Sequence, residues 1–211
     1  TVDLVRRAYQ QKYAVGHFNI NNLEIVQGIV RAAEKLRSPV ILATSEGGVQ
    51  YAGMRYLYSL AVTAAEEGRV PVALHLDHGR DVGVIRQAIQ QGYSSVMVDG
   101  SVFDFEKNVR VTKQVVQLAQ RKGISVEAEL GTIGGAEDLV SARKILYTDP
   151  ELVKEFVSRT GCDFLAVAIG TSHGAYKSMR KDPKTGVMMP PALAMERIHE
   201  IHKRLPKCHM V

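Results

Sequence analysis

The chain has 211 residues, 45% hydrophobic and 23% charged, with a formal net charge of +5. This length can bury a substantial core as a single domain over residues 1–211, and the composition excludes a disordered or collagen-like polymer. The basic residues are spread along helical patterns (Arg31, Lys35, Arg37, Lys113) and aromatics make up only 6%, so no nucleic-acid partner is expected.

Short β-branched runs alternate with helical patterns along the whole chain. Strands are predicted at Ala14–Phe18, Pro39–Thr44, Val70–Leu76, Ser95–Val98, Ser125–Leu130 and Phe164–Ile169, with the stub of a seventh at Cys208–Val211. They are nearly continuous apolar runs, the mark of strands covered on both faces. Amphipathic helices lie between them: Ile25, Ile29, Val30 and Ala33 share one face, as do Leu57, Leu60, Ala61, Ala64 and Ala65. Asp149-Pro150 is a helix start, and Gly92, Gly123 and Gly161 stand where left-handed caps want glycine. The longest apolar runs, such as Phe164 to Ile169, are too short to span a bilayer, and no targeting segment is expected at the start, where Arg6, Arg7 and Lys12 interrupt a helix-like opening. Cys162 and Cys208 are far apart and outside metal-type spacing, so a reducing, cytoplasmic compartment is expected.

Repeated strand–helix units predict a parallel sheet, either a (β/α)8 TIM barrel or an open doubly wound sheet. The open dinucleotide-binding type wants G-x-G-x-x-G after its first strand, and here Asn19-Ile20-Asn21-Asn22 follows instead. Polar residues end every strand: Asn19, Ser45, Asp77 with His78, Asp99, Glu129 and His173. Barrel sites are built from such ends, so the barrel is favoured, with six strand–helix units and the start of a seventh strand.

The densest signal is His75-Leu76-Asp77-His78-Gly79. Period two puts His75 and Asp77 on one face and His78 at the turn into the mouth. A lone histidine there is more often a hydrogen-bonded core or loop residue than a ligand, but His173 holds the equivalent place two units later and Glu129 ends the strand between. Two histidines and a glutamate suit a catalytic divalent ion with an open position, Zn2+ first. Glu127 is expected to face the opposite side from Glu129, either toward a helix or as a partner supporting the ligands, and His17, His75, His199, His202 and His209 to be structural or exposed. Asp99 could instead simply cap the next turn, Ser45 could be a strand-end hydrogen bonder, and Met188-Met189-Pro190-Pro191 a loop packing against the barrel.

Five segments in one order carry a resemblance: 13–19 (YAVGHFN), 75–79 (HLDHG), 126–131 (VEAELG), 134–138 (GGAED) and 168–174 (AIGTSHG). Together they resemble the class II, metal-dependent fructose-1,6-bisphosphate aldolases over nearly the whole chain. The resemblance implies metal ligation by His78, Glu129 and His173, with Asp99 at a second or alternative metal position. It implies Asp77 as general acid/base at the C4 oxygen and Glu137, on a glycine-rich loop, as the group moving a proton at C3 of dihydroxyacetone phosphate. Asn19 and Ser45 match substrate contacts, and Gly174 a backbone contact to a phosphate or monovalent cation.

The implied reaction is reversible cleavage of fructose 1,6-bisphosphate to dihydroxyacetone phosphate and glyceraldehyde 3-phosphate. It leaves an enediolate that a Lewis acid stabilises. A Schiff-base aldolase needs a lysine on a strand, and no predicted strand contains one. The alternatives are tagatose-1,6-bisphosphate aldolase, to which the Gly79 position and the stretch 171–177 are less similar, and an inactive aldolase-like sugar-phosphate binder. The retained Asp77, His78, Glu129, Glu137 and His173 argue against the latter. The resemblance also implies a homodimer or larger. The family's third metal histidine and its phosphate-binding segments follow the seventh strand, where this sequence stops, so a longer parent chain is expected.

Overall fold

The computed structural model describes residues 1–211 except 138–139, 143–145, 175–178, 190–191 and 206–207, with the backbone alone at 136–137, 140–142 and 180. A first helix, α1 (Val2–Gln11), precedes β1 (Gly16–Asn19); α2 (Leu23–Leu36) and β2 (Val40–Ser45) follow. Next come α3 (Glu46–Ala52), α4 (Met54–Glu67), β3 (Val72–Gly79), α5 (Val82–Gln91), β4 (Ser95–Val98), α6 (Phe105–Gln120) and β5 (Ser125–Leu130). After β5 the chain forms β6 (Gly134–Glu137) and β7 (Val140–Ala142), then α7 (Pro150–Thr160), β8 (Phe164–Val167) and β9 (Ser172–His173). The last elements are β10 (Arg180–Lys181), β11 (Met188–Met189), α8 (Met195–Arg204) and β12 (His209–Met210).

Seven of these strands make one sheet in the order β1-β2-β3-β4-β5-β8-β12, every neighbouring pair parallel. Sequential strands pair in sequence order, as in a barrel and unlike a doubly wound sheet, whose order reverses. The sheet is curled. His17 on β1 and His209 and Met210 on β12, at its two ends, line one cavity of about 440 Å³ with His75 and Glu127 from its middle. The predicted strands are thus found, with boundaries shifted by up to three residues, and the fold is that of a (β/α)8 barrel through its six strand–helix units and seventh strand.

The helices start and stop for local reasons. Asn22, Asp81, Asp104 and Asp149 cap α2, α5, α6 and α7 by accepting hydrogen bonds from backbone N–H groups. Gly161 ends α7 at φ 73°, in the left-handed region open to glycine. The helices bury their apolar faces outside the strands. Fully buried Phe156 of α7 meets Phe105 of α6 edge to face at 6.0 Å, and burying such a side chain stabilises by roughly 1.5–3 kcal/mol. Opposite the strand C-terminal ends, α1 lies under the sheet. The Thr1 hydroxyl is 3.0 and 2.8 Å from those of Ser94 and Ser95, and Tyr9 packs against His202 and His209.

Two features were not foreseen. β6 pairs with β7 and with β9 in a small three-stranded sheet above β5. Met188 and Met189 form an exposed strand in a hairpin with β10 rather than packing against the barrel; Pro190 and Pro191 lie outside the described residues. Among the described residues, no helix is long and apolar enough to cross a membrane.

Candidate functional site

The end of β3 is irregular, and that irregularity builds the site. Adjacent residues of a regular strand point to opposite faces. Between Leu76 and Gly79 the register against β4 shifts, and His78 takes φ 46°. A left-handed histidine inside a strand costs roughly 1–2 kcal/mol, and bulges next to sites re-aim side chains. Here the bulge brings Asp77 and His78, though chain neighbours, to the same mouth: Nε2 of His78 is 4.0 Å from Oδ1 of Asp77. Gly79 follows because a Cβ there would meet the Met97 carbonyl oxygen and Ile85 at 2.6 Å.

His78, Asp99 and Glu129, from the ends of β3, β4 and β5, offer ligating atoms all within 4.8 Å of one another. Nδ1 of His78 is 3.2 Å from Oδ2 of Asp99 and 3.7 Å from Oε2 of Glu129. Asp99 also accepts from Arg80 Nε at 2.8 Å, Ser101 N at 3.1 Å and Ser101 Oγ at 2.6 Å. One Asp99 oxygen makes the turn to Ser101 while the other faces His78. Glu129 is 1% exposed; Oε1 accepts from Ile133 N, and Oε2 is buried with no hydrogen-bond partner. Behind it, Asn108 Nδ2 donates to the Glu129 carbonyl at 2.9 Å. An orphaned carboxylate oxygen beside an imidazole and a second carboxylate fits a divalent ion, because a ligand would satisfy it.

His173, on β9, lies against the same ring: its centroid is 4.7 Å from that of His78, the rings nearly perpendicular. Asp77 accepts from Asn19 Nδ2 at 3.1 Å. Ser45 accepts from Gly48 N at 3.0 Å as the cap of α3, so its strand-end reading is realised as a helix cap. Gly174 follows β9 at φ 79°. Glu137 belongs to β6 by its backbone, and its side chain lies outside the described residues, as do Asp138 and 175–178.

The charges are strongly coupled. Burial opposes a charged His78, but the hydrogen bond to Asp99 and the carboxylates of Asp77 and Glu129 raise its pKa to about 9. Burial likewise opposes ionisation of Asp99, yet bonds from His78, Ser101 and Arg80 hold its carboxyl below the usual range. Asp77 is lowered as well: His78, His17, His75 and the Asn19 bond outweigh its burial. Glu129 goes the other way, raised by burial and by the charge of Asp99.

One expectation is corrected. Glu127 does not face away from Glu129: it is 6% exposed, its Oε2 is 3.7 Å from Nε2 of His75, and it lines a cavity of about 380 Å³ with His17, Asp77 and His78. Residues two apart on a strand share a face, so period two already carried this signal. His17 and His75, expected to be structural or exposed, flank Asp77 as well. Arg80 was missed; its position directly after His78-Gly79 was the only clue.

With this geometry in view, the chain matches the family model described as fructose-bisphosphate aldolase class-II over residues 1–211. The chain belongs to the class II fructose-bisphosphate aldolase family. A fructose-bisphosphate aldolase of Thermus caldophilus is 51% identical over 178 residues, covering 83% of this chain and 58% of the relative. One from Giardia intestinalis is 50% identical over 175 residues, covering 82% and 54%. The chain thus spans little more than half the length of these relatives. The crystal structure of the YdjI aldolase from Escherichia coli K12 superimposes with a TM-score of 0.81 at 35% identity, covering 99% of this chain and 69% of that one. Family membership agrees with the donor set, in which imidazole and carboxylate converge on strand ends.

Proposed function

We propose that this chain carries the site of a class II aldolase that reversibly cleaves fructose 1,6-bisphosphate to dihydroxyacetone phosphate and glyceraldehyde 3-phosphate. One observation carries this reading. Asp77, held as a carboxylate and oriented by Asn19 at 3.1 Å, stands 4.0 Å from His78, which itself belongs to the group of His78, Asp99 and Glu129. A base beside a seat for a Lewis acid is what a retro-aldol cleavage requires.

In this reading His78, Glu129 and His173 hold the divalent ion, with zinc favoured by the donors, and Asp99 offers a second or alternative position. When bound, the ion supplies Lewis-acid polarisation of substrate oxygens. Asp77 takes the proton from the C4 hydroxyl in cleavage and returns it in condensation. Asn19 and Ser45 contact the sugar phosphate, and the Gly174 backbone contacts a phosphate or a monovalent cation. Glu137 exchanges the proton at C3 of dihydroxyacetone phosphate. The enzyme works as a cytoplasmic homodimer or larger assembly, in the sugar-phosphate steps of glycolysis and gluconeogenesis.

A coupled assay on the full-length protein, comparing fructose and tagatose 1,6-bisphosphates, tests the substrate. Preference for the fructose compound is expected; cleavage of neither, or preference for tagatose, would overturn it.

A further inference from the structure

A second group of ligating side chains lies beneath the aldolase site. His17 on β1 and His75 and Asp77 on β3 each offer one ligating atom, all within 4.8 Å of one another. The register sets His75 level with Asn19 across β2, so His17 stands one inward-facing row below His75. The two imidazoles meet edge to face with centroids 5.2 Å apart.

Independent features of this group point to a cation. His75 is 2% exposed, its Nδ1 is engaged by Ser95 Oγ at 2.7 Å, and its Nε2 has no hydrogen-bond partner. A buried nitrogen without a partner is destabilising, and a ligand would offset that cost. With Nδ1 taken by Ser95, Nε2 is the nitrogen His75 has to offer. The group is also reachable, because His17 and Glu127 line both the cavity at the strand C-terminal ends and the one beneath it.

We propose that His17, His75 and Asp77 form a second divalent-cation site, distinct from the group of His78, Asp99 and Glu129, with Glu127 within reach as a fourth ligand. Two imidazoles and a carboxylate select zinc-like transition ions over magnesium or calcium. Ser95 orients the His75 ring, as partners of ligating histidines commonly do. A functional consequence follows that does rest on the aldolase reading: an ion here takes Asp77 out of proton transfer, so excess zinc inhibits.

The test uses full-length protein stripped of metal, titrated with Zn2+ by calorimetry and with Co2+ by visible absorption. Wild type is expected to bind in two phases, and H17Q to lose one of them. Cleavage by each protein at one equivalent of zinc is the baseline from which its own inhibition is read. Wild-type turnover falls roughly tenfold once zinc exceeds the weaker dissociation constant about tenfold, by mass action, whereas H17Q resists. A single phase in wild type, or two unchanged phases in H17Q, would overturn the proposal. H78A is expected to remove the other phase. Should it keep both, the aldolase metal assignment fails while the His17 site stands on the H17Q result.

Discussion

Gly135 and His173 are paired residues of β6 and β9, and they approach so closely that a Cβ on Gly135 would clash with the His173 carbonyl oxygen. Gly135 also holds φ 98°, a conformation that side chains resist. Glycine here therefore serves close approach: it lets the 134–137 segment lean on the backbone that carries a proposed metal ligand. G135A is expected to displace His173 and weaken zinc binding by about 10–100-fold, the range for disturbing groups that orient ligands, with helix content unchanged. Calorimetric titration of the metal-free protein checks this, and unaltered affinity would refute it.

Asn108 secures the other side of the centre from α6. Its amide donates to the Glu129 carbonyl and accepts from the Thr112 hydroxyl at 3.1 Å, with Asn108 only 3% exposed. N108A strands two buried polar groups and should cost about 1–3 kcal/mol of stability. Urea denaturation of the metal-free protein measures it; a midpoint within error of wild type would show that the anchor is dispensable.

The pH dependence follows from His78. Its pKa is raised from 6.5 to about 9 in the metal-free fold, so the folded state binds the proton more tightly than the unfolded chain. The stability it contributes is fully present below pH 6.5 and is lost as pH rises through about 9. Ligation needs the neutral ring, so zinc must expel that proton. Binding near pH 7.5 should release about one proton from this group, measured by calorimetry in buffers of different ionisation enthalpy. Proton-neutral binding would place the metal elsewhere.

The barrel class and the strand-end residues were legible because buried parallel strands are apolar runs and their polar ends stand out. Asp77, Asn19, Glu129 and Asp99 meet as their strand positions imply. The left-handed His78 was not legible, since nothing local distinguishes it; the register shift against β4 imposes it. The approach of His17 to His75 joins residues 58 positions apart through a curled sheet, which a one-dimensional pattern does not encode. The glycine-rich loop expected to carry Glu137 is strand β6, and the contact of Gly135 with His173 that shapes it is a tertiary fact. Glu127 is different: period two along β5 places it on the same face as Glu129, so its position is legible in the sequence.

The central claim, a metal-assisted aldolase with Asp77 as its base, is tested most directly by D77N in the full-length protein. Turnover of fructose 1,6-bisphosphate and zinc affinity should be measured side by side, before and after metal removal with EDTA. The account predicts that EDTA abolishes wild-type cleavage and zinc restores it. It also predicts that D77N keeps the zinc phase carried by His78 and loses about 10²–10⁴-fold in turnover, the range for a general base. EDTA-resistant cleavage, or D77N turning over at the wild-type rate, would contradict it.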